Sequence, residues 1–488
     1  MRAFVLEAES MEKKRNKSDK QLHTYQKNDL VTVTIEDVGT EGEGIGKVDG
    51  YTLFIKDGVM GDVVEAKIMK AKKNYAYARL EKVLTPSPFR IEPPCQYARV
   101  CGGCQLQAVS YEKQLWFKEQ KVFHDLVRIG GFSTEEIETV MEPILGMEEP
   151  FAYRNKAQYP VGTNKEGKPV AGFYAGRTHS IIANTDCKLG TAVNKEILEA
   201  VLDFMEENHI PAYDETLQKG LVRHVLIRCG FTSKEVMVCL VINGKSFPKA
   251  KEFADKLLSL SLGEWKIESI CISSNTKNTN VIMGESYEVL YGKGYITDRI
   301  GDVAFQISPL SFYQVNPVQT KELYQLALDY ANLKGDETVW DLYCGIGTVS
   351  LFLARKAGKV YGVEVIPQAI DNARENAKIN GISNAEFFVG KAEEVLPEKY
   401  EKEQIRADVI VVDPPRKGCD EACLQTMVRM QPEKIVYISC DPATLARDLK
   451  YLCGNGYQLK KVRAVDQFPQ TVHTECVVWM QRVEEKGR

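Results

Sequence analysis

The sequence of 488 residues lacks any apolar run that approaches the ~20 residues of a membrane-spanning helix. Its first residues, MRAFVLEAESMEKKRNKSDK, contain an apolar patch that Glu7 interrupts, so the longer apolar core of a secretory signal peptide is missing. We predict a disordered leader over residues 1–21, with Met11 as a candidate start, and a cytoplasmic location. No membrane partner is expected.

The sequence also lacks an excess of one charge. Its net charge of -4 does not by itself indicate a nucleic-acid partner. One segment is nevertheless basic and is opposed only by Glu81; it contains Lys67, Lys70, Lys72, Lys73, Arg79, Lys82 and Arg90. Tyr75, Tyr77 and Phe89 lie among these cations, a combination that suits an RNA backbone and its bases. A solvated basic strand edge gives the same pattern, and no DNA partner is expected.

The pattern of strands, helices and turns divides the chain into three folded parts. Residues 22–84 show short alternating strands and turn glycines, which predict a small β-barrel. A proline-rich linker, TPSPFRIEPP, leads into residues 85–298, which we predict to be a mixed α+β domain. Residues 299–488 alternate strands with helices and therefore predict an α/β domain with a mostly parallel sheet.

Two features of the central part are specific enough to test. The stretch SYEKQLWFKEQKVFHDLVRIGG has the apolar spacing of a helix that ends at two glycines; the apolar positions are Leu115, Phe117, Val122, Leu126 and Ile129. The stretches LVRHVLIRCG, EVMVCLVING and IESICISSN predict strands, and we expect them to form an antiparallel sheet.

Two glycines follow the first strand of the C-terminal part. Gly345 and Gly347 lie between that strand and a helix, where glycine lets the backbone approach a ligand closely. Glu364 ends the next strand, about 20 residues later, where an acidic group can accept hydrogen bonds from ribose hydroxyls. The full Gly-x-Gly-x-x-Gly of dinucleotide folds is absent because position 350 is Ser350, and no Walker lysine follows. The pattern therefore favours S-adenosylmethionine over NAD or ATP.

Two further polar residues end strands of the same predicted sheet. Asp413 ends a buried strand before two prolines, and Cys440 ends the next strand. Both are expected to face the crevice at the carboxyl ends of the strands, where open α/β sheets bind ligands. The helix that begins near Pro442 is expected to favour the thiolate form of Cys440.

A thiolate beside a methyl donor has a defined use. Its addition to C6 of uracil would make C5 nucleophilic enough to attack the methyl sulfonium. Glu475, in FPQTVHTECVVWM, is the candidate base that removes the C5 proton, and His473 is its rival. The alternatives are an inert buried cysteine for Cys440 and a strand-edge charge for Glu475.

These motifs resemble those of the RNA uracil-5-methyltransferases that depend on S-adenosylmethionine. The matching stretches, in that family's order, are FYQVNPVQTKELY, DLYCGIGTVSL, DPPRKG, YISCDPATLARDL and FPQTVHTECVVWM. The resemblance covers nearly the whole chain. It implies an OB-like TRAM barrel that binds RNA, an α+β central domain and a class I, Rossmann-like methyltransferase domain. The barrel is similar to the 23S ribosomal RNA branch, because the transfer-RNA branch typically lacks a TRAM domain.

The resemblance also assigns residue roles. The residues that would bind S-adenosylmethionine are Gln314, Tyr343, Glu364 and Asp413. Cys440 would be the nucleophile and Glu475 the base. Asp441 stands where many relatives carry asparagine, and its negative charge next to the thiol could raise the pKa of Cys440.

Thirteen cysteines in an intracellular chain are not expected to form a disulfide framework. Four of them suit either a tetrahedral zinc site or an iron–sulfur cluster, and their spacing does not choose between the two: Cys95, Cys101, Cys104 and Cys187. The resemblance to ribosomal members implies a 4Fe-4S cluster, with zinc as the alternative. The spacing is not the C-x3-C-x2-C of radical S-adenosylmethionine enzymes, so the cluster would be structural or would shape the RNA surface.

The predicted function is methyl transfer from S-adenosylmethionine to C5 of a specific uridine in 23S rRNA, by a chain that acts as a monomer. The target base would be extruded into the crevice, at a cost of a few kcal/mol. The first alternative is the same reaction on tRNA. The second is a non-catalytic iron–sulfur protein that binds RNA. The third is methylation of cytosine or of an exocyclic amine; an amine is already nucleophilic and would not need Cys440.

Overall fold

The structure is a computed structural model that describes residues 25–483. The predicted leader over residues 1–21 lies outside the described residues. The chain forms two compact units: one consists of the residues up to Pro93 with Gln105–Ser110, and the other of Pro94–Cys104 with the residues from Tyr111 onward. Among the described residues, no helix is both long and apolar enough to cross a membrane.

The first unit is the predicted small barrel, closed by five strands in the order β1-β2-β3-β5-β4. The strands are β1 (Leu30–Val38), β2 (Gly44–Val48), β3 (Tyr51–Lys56), β4 (Val63–Ala71) and β5 (Tyr75–Thr85). Alternate residues of β1 point inward, and Val31, Val33 and Ile35 are buried in the barrel core. This alternation places every second side chain inside, as the sequence predicts.

The first half of the second unit is a mixed region. Its elements are α1 (Tyr111–Asp125), a π-helical turn (Leu126–Gly130), α2 (Thr134–Val140), β6 (Met141–Leu145), β7 (Lys156–Thr163), β8 (Pro169–Tyr174), β9 (Ile181–Ala183), α3 (Val193–Glu207), β10 (Val222–Cys229), β11 (Glu235–Ile242), α4 (Ala250–Leu258), β12 (Lys266–Ser274), β13 (Glu288–Gly292), β14 (Ile296–Ile300) and β15 (Val303–Ile307). Seven of these strands form one sheet in the order β13-β12-β11-β10-β7-β8-β9.

The prediction of an antiparallel central sheet is wrong for one pair of strands. The strands β10 and β11 are antiparallel as expected, but β11 and β12 are parallel. The cause is α4, which lies between them in the chain: a parallel pair needs a crossover connection, and the helix provides it.

The C-terminal half carries the predicted βαβ series. Its elements are α5 (Pro317–Ala331), β16 (Thr338–Leu342), α6 (Thr348–Leu353), β17 (Lys359–Glu364), α7 (Pro367–Ile379), β18 (Ala385–Val389), α8 (Ala392–Glu403), β19 (Val409–Val412), α9 (Glu421–Met430), β20 (Lys434–Ser439), α10 (Pro442–Gly454), β21 (Tyr457–Val465) and β22 (Glu475–Arg482). The strands β16 to β20 pair in parallel, and β22 joins them antiparallel to β20.

The order of this eight-stranded sheet, β18-β17-β16-β19-β20-β22-β21-β6, fixes where a ligand can bind. The chain runs outward from β16 to β18 and then returns to the other side of β16 with β19. Such a switch opens a crevice at the carboxyl ends of the two central strands. The outermost strand β6 comes from residues that the sequence assigned to the central domain, and it pairs in parallel with β21.

Candidate active site

One cavity of about 830 Å³ lies at the carboxyl ends of the parallel strands. Its lining includes all six residues to which the sequence gave catalytic or cofactor-binding roles: Gln314, Tyr343, Glu364, Asp413, Cys440 and Glu475. These residues come from a loop before α5 and from the ends of five different strands. The fold therefore brings together in one cavity six residues that span 161 positions of the sequence, from Gln314 to Glu475.

The loop between β16 and α6 forms one wall of this cavity. Tyr343, Gly345 and Gly347 all adopt positive φ angles, of 70°, 55° and 82°. The backbone N–H groups of Tyr343 and Cys344 both donate to the carbonyl oxygen of Val363, at 3.0 Å, which ties the loop to the neighbouring strand. A positive φ suits glycine and strains tyrosine, so the loop holds Tyr343 in an uncommon conformation at the cavity wall.

Glu364 lies against the same loop. Its Oε2 accepts from the N–H of Gly345 at 3.3 Å, and its Oε1 accepts from the N–H of Ile366 at 3.0 Å. These two bonds fix the carboxylate at the end of β17, on the cavity rim. A fixed carboxylate in this position can accept hydrogen bonds from the hydroxyl groups of a ribose.

Gln314 reaches the cavity from the loop that precedes α5. Its side chain is 8% exposed, and its backbone carbonyl accepts from Nδ2 of Asn155 at 2.9 Å. Two positions later, Asn316 caps α5 by accepting from the N–H of Gln319 at 3.2 Å. These two hydrogen bonds fix the loop at Gln314 and at Asn316, so the backbone that carries the Gln314 side chain is ordered.

Cys440 and Glu475 are brought together by strand pairing. The strands β20 and β22 are antiparallel, with Ser439 opposite Cys476. Cys440 follows Ser439, and Glu475 precedes Cys476, so the two residues adjoin that pair on neighbouring strands, ~5 Å apart in backbone spacing. Glu475 is also the charged group with the largest effect on the pKa of Cys440.

The predicted thiolate form of Cys440 is not favoured in the ligand-free chain. Burial raises the pKa of Cys440 to about 12, and the nearby carboxyl groups of Glu475 and Asp413 act in the same direction. Asp441 raises it too, but less. The carboxylate of Asp441 also caps α10 by accepting from the N–H groups of Ala443 and Thr444 at 3.0 Å. These effects exceed any stabilisation of the thiolate by the first turn of α10.

The two cavity carboxyl groups also hold their protons strongly. Burial raises the pKa of Asp413 to about 7 and that of Glu475 to about 8, and the charge of Asp413 adds to the effect on Glu475. Glu475 is only 3% exposed, and its Oε2 has no hydrogen-bond partner among the described residues. A buried carboxyl group with a free oxygen and a pKa near neutral is suited to proton transfer.

Sequence reasoning missed several residues of the lining, among them Arg154, Phe312 and Arg416. Arg416 lowers the pKa of both Cys440 and Glu475, and its place inside DPPRKG was the available signal. Phe312 is 70% exposed, which leaves its ring free to stack on a base, and it lies inside the FYQVN motif. Arg154 had no comparable signal. His473, the rival base, also lines the cavity.

The segment that leads to Glu475 is anchored by a buried polar face of α1. Lys118 forms an ion pair with Asp466, and both side chains are fully buried. Tyr111 donates to the other oxygen of Asp466 at 2.8 Å, and Gln114 donates to Oε1 of Gln470 at 3.0 Å. The predicted apolar face of this helix is therefore only partly right.

The four predicted ligand cysteines are half-buried. Burial raises the pKa of Cys187, and the thiols of Cys101 and Cys95 add to that effect, so these three interact; N–H groups of Leu189 and Gly190 oppose it. Within residues 25–483, no group of three or more His, Cys, Asp or Glu side chains is arranged to hold a metal ion.

The barrel presents part of the predicted RNA-binding cluster on its surface. The rings of Phe54, Tyr75 and Tyr77 lie with their centroids 5.7 Å apart, and Tyr77 is 37% exposed. Arg90 does not belong to this surface, because its guanidinium pairs with the buried carboxylate of Asp62 at 2.6 Å. The ion pair of Arg90 is structural.

Comparison with known proteins identifies the family. A family model described as tRNA (Uracil-5-)-methyltransferase matches residues 214–483, more than half of the chain. This chain belongs to the RNA uracil-5-methyltransferases. A TRAM domain model matches residues 26–80 of this uracil-5-methyltransferase, which confirms the resemblance drawn from its motifs.

Relatives match the uracil-5-methyltransferase over nearly its full length. A Bacillus cereus protein named "Uncharacterized RNA methyltransferase" is 48% identical over 96% of this chain and 100% of its own. A Clostridium tetani protein of the same name is 47% identical over 95% of this chain and 98% of its own. Among solved structures, the Pyrococcus abyssi tRNA (uracil-54, C5)-methyltransferase, in complex with S-adenosyl-L-homocysteine, covers 92% of this chain and 100% of its own at 27% identity, with a TM-score of 0.72.

Proposed function

We propose that this chain transfers a methyl group from S-adenosylmethionine to C5 of a uridine in RNA, and that 23S rRNA is its substrate. The observation that supports this most directly is the adjacency of Cys440 and Glu475 in one cavity. Methylation of an exocyclic amine is disfavoured, because an amine is already nucleophilic and does not need a cysteine. Retention of both residues also disfavours a non-catalytic RNA-binding protein.

The cofactor is assigned to the side of the cavity that the β16–α6 loop forms. There Glu364 would accept from the ribose hydroxyls, and Tyr343 and Gln314 would contact the remainder of the nucleoside. The complex of the Pyrococcus abyssi relative with S-adenosyl-L-homocysteine supports S-adenosylmethionine as the methyl donor. Asp413, at the end of β19, would lie next to the positively charged sulfur.

The proposed reaction uses Cys440 first. Its sulfur adds to C6 of the uracil, and the electrons of the C5–C6 double bond move to C5 to form an enolate with the C4 oxygen. C5 then attacks the methyl carbon, and S-adenosylhomocysteine leaves with the bonding electron pair. Glu475 accepts the C5 proton, the C5–C6 double bond re-forms, and the thiolate is expelled.

The reaction needs the thiolate of Cys440 and the carboxylate of Glu475, so both groups must first release to solvent the protons that they hold in the ligand-free cavity. Cys440 and Glu475 both hold protons near pH 7, because their pKa values are about 12 and about 8. S-adenosylmethionine supplies the methyl group and a positive charge, and that charge lowers the pKa of neighbouring acids. Arg416 acts in the same direction. The thiolate would thus be formed when the cofactor is present.

A second candidate substrate is tRNA. By its name, the Pyrococcus abyssi relative acts on uracil-54 of tRNA. Its match covers 92% of this chain, and the unmatched remainder is shorter than the barrel, so the match includes at least part of the barrel. A barrel region is therefore compatible with tRNA as well as with rRNA. The preference for 23S rRNA rests on the resemblance of this chain to the ribosomal branch.

Mapping of 5-methyluridine tests the choice of substrate. In cells that lack the protein, we expect mass spectrometry of isolated RNA to detect loss of 5-methyluridine from 23S rRNA and no loss from tRNA. Complementation with the intact gene should restore the modification, and complementation with Cys440→Ala should not. Loss confined to tRNA would contradict the rRNA proposal and leave the reaction type standing.

A pH profile tests the role of Glu475. Its pKa is raised to about 8, so the proton-accepting form is scarce at pH 6 and dominant above pH 8. We expect kcat/KM to rise with pH across this range. In Arg416→Gln the rise should move to higher pH by about one unit, because a positive neighbour that lowers the pKa is lost.

The matched control is Lys417→Gln, which removes the same charge one residue along the chain. Lys417 lines the cavity but, unlike Arg416, is not among the main groups that shift the pKa of Cys440 or Glu475. Initial rates between pH 6 and 10 distinguish the two variants. A flat profile for the unchanged protein, or equal shifts in both variants, would contradict the assignment of Glu475.

We also propose that Cys95, Cys101, Cys104 and Cys187 hold a 4Fe-4S cluster. The resemblance of this chain to the ribosomal members supports the proposal. Binding would have to bring the four thiols together, because within residues 25–483 no three such side chains are arranged to hold a metal ion. Anaerobic purification should yield about four iron and four sulfide per chain. We expect Cys187→Ser to lose most of both, and Cys453→Ser to retain them. Zinc in place of iron would contradict the cluster.

A further inference from the structure

A second cavity, of about 1010 Å³, lies on the seven-stranded sheet, away from the six predicted site residues. It is formed by the end of β7, the strands β8 and β9, the beginning of β10 and two loops, residues 213–216 and 278–282. The proposed methyl transfer uses none of the side chains that line it. A cavity of this size is large enough for a nucleotide.

A β-bulge turns two successive polar residues toward this cavity. Neighbouring side chains on a regular strand point to opposite faces, yet Arg223 and His224 both line the cavity. The register between β10 and β11 shifts between Val222 and His224, as expected for a bulge. Bulges often occur next to binding sites, where they change the direction of a side chain. This bulge is therefore consistent with a binding role for the cavity.

Both side chains carry a buried polar atom without a partner. Arg223 and His224 are each 6% exposed, and neither Nε of Arg223 nor Nδ1 of His224 has a hydrogen-bond partner in the described part of the chain. Buried polar groups are normally satisfied, so two orphans side by side indicate that a bound molecule completes them. Arg223 is otherwise fixed, because its Nη1 donates to the carbonyls of Asn275 and Lys277 at 2.7 and 2.9 Å.

The chemistry of the walls favours a flat, neutral, polar ring over an anion. The guanidinium of Arg223 lies 4.7 Å from the ring centroid of Tyr213. Glu215 accepts from the hydroxyl of Tyr174 at 3.1 Å and pairs with His179 at 2.9 Å. The carboxylates of Asp214 and Glu215, which both line the cavity, offset the arginine. Burial lowers the pKa of His224 to about 4, so its imidazole is neutral. Aromatic side chains with donors and acceptors between them suit a nucleobase.

The strand β7 connects this cavity with the candidate active site. Arg154, just before β7, lines the active-site cavity, and Val161, near its end, lines the second cavity. Arg154 and Val161 are seven residue steps apart, which corresponds to about 23 Å of extended chain. This span corresponds to several nucleotides of a single strand, so one RNA molecule can reach both places.

We propose that the second cavity binds an unpaired nucleotide of the same RNA whose uridine enters the active site. His224 and Arg223 contact the edge of its base, and the tyrosines contact its face. This proposal rests on the proposed function, in which a folded RNA presents its target base outside the helix. Its consequence is a second recognition point, which selects RNAs with a second extruded base at a fixed distance from the target.

A mutation at the cavity mouth tests this without disturbing the fold. Val281 is 64% exposed and lines the cavity, and Leu217 is 66% exposed and does not. Val281→Trp should block the mouth, and Leu217→Trp is the matched control. With 23S rRNA transcribed in vitro, we expect Val281→Trp to raise KM for RNA about tenfold with kcat unchanged, as for loss of one stacked base. Leu217→Trp should behave like the unchanged protein.

Ultraviolet cross-linking of the full chain to the same transcript gives the second readout. Peptides that contain Tyr174 or Tyr213 should carry a cross-linked nucleotide, and Val281→Trp should remove it. If the transcript is methylated but neither peptide is cross-linked and both tryptophan variants share one KM, the proposal is overturned. If these tyrosines are cross-linked but the transcript is not methylated, the result supports RNA binding in the second cavity and contradicts the proposed reaction. A free nucleoside that binds the cavity and leaves RNA binding unchanged would also overturn it.

Discussion

Replacing Cys440 by alanine is expected to reduce methyl transfer more than about 10⁴-fold, in the range seen when other enzymes lose their nucleophile. C5 of uracil is a poor carbon nucleophile. Among the described residues, the only other thiol that lines the cavity is that of the buried Cys344, in the loop between β16 and α6. Single-turnover transfer of a labelled methyl group to RNA measures the loss. Affinity for S-adenosylhomocysteine should change little, because the predicted ribose contact is Glu364.

The matched control is Cys453→Ala. Cys453 is another half-buried free thiol, at the other end of α10, and it does not line the cavity. We expect its activity to stay within about twofold of the unchanged protein, since substitutions away from functional features have small effects. Equal losses in Cys440→Ala and Cys453→Ala would indicate damage to α10 and would remove the case for a nucleophile.

The second large effect is expected for Lys118→Met. Both partners of the Lys118–Asp466 ion pair are fully buried, so the substitution leaves the carboxylate of Asp466 buried without its counter-charge. Removal of one partner from a buried pair typically costs about 3–5 kcal/mol of the free energy of unfolding. Urea denaturation followed by circular dichroism measures this quantity.

Lys113→Met provides the control on the same helix. The ammonium of Lys113 lies 3.1 Å from the ring centroid of Trp116, which is 41% exposed, so the substitution removes a contact at the surface. We expect a change of about 1 kcal/mol or less. A loss below about 1 kcal/mol in Lys118→Met would contradict the view that this pair anchors the segment that leads to Glu475.

The βαβ series and the barrel could be predicted because their patterns are local. Alternation along β1 and continuous apolar runs such as β19 follow directly from which faces are buried. The direction of β12 could not be read in the same way. It depends on the crossover through α4, and three apolar strands in succession look alike whether they run parallel or antiparallel.

The buried face of α1 shows a second limit of pattern reading. Apolar spacing predicted a helix and its end correctly, and Gly131 adopts a φ of 75° at that end. The spacing did not predict that Gln114 and Lys118 are buried, because their partners lie about 350 positions away. Ile129, expected in the core, is 41% exposed.

The candidate site was predictable to the extent that its residues follow strand ends. Glu364, Asp413 and Cys440 each end a parallel strand, so one sheet edge collects them. Gln314 has no such position and was found only through its motif. The protonation state of Cys440 depends on burial and on the two carboxyl groups that the fold brings near it, and neither could be read from the following helix or from Asp441.

The addition of the Cys440 sulfur to the pyrimidine ring is tested most directly with RNA that contains 5-fluorouridine. Fluorine at C5 leaves no proton for Glu475 to remove, so after methyl transfer the sulfur cannot leave. We predict a denaturation-stable protein–RNA adduct that contains one transferred methyl group, and peptide mapping should locate the bond at Cys440. Absence of an adduct under conditions that methylate ordinary RNA, or a bond at another cysteine, would contradict the account.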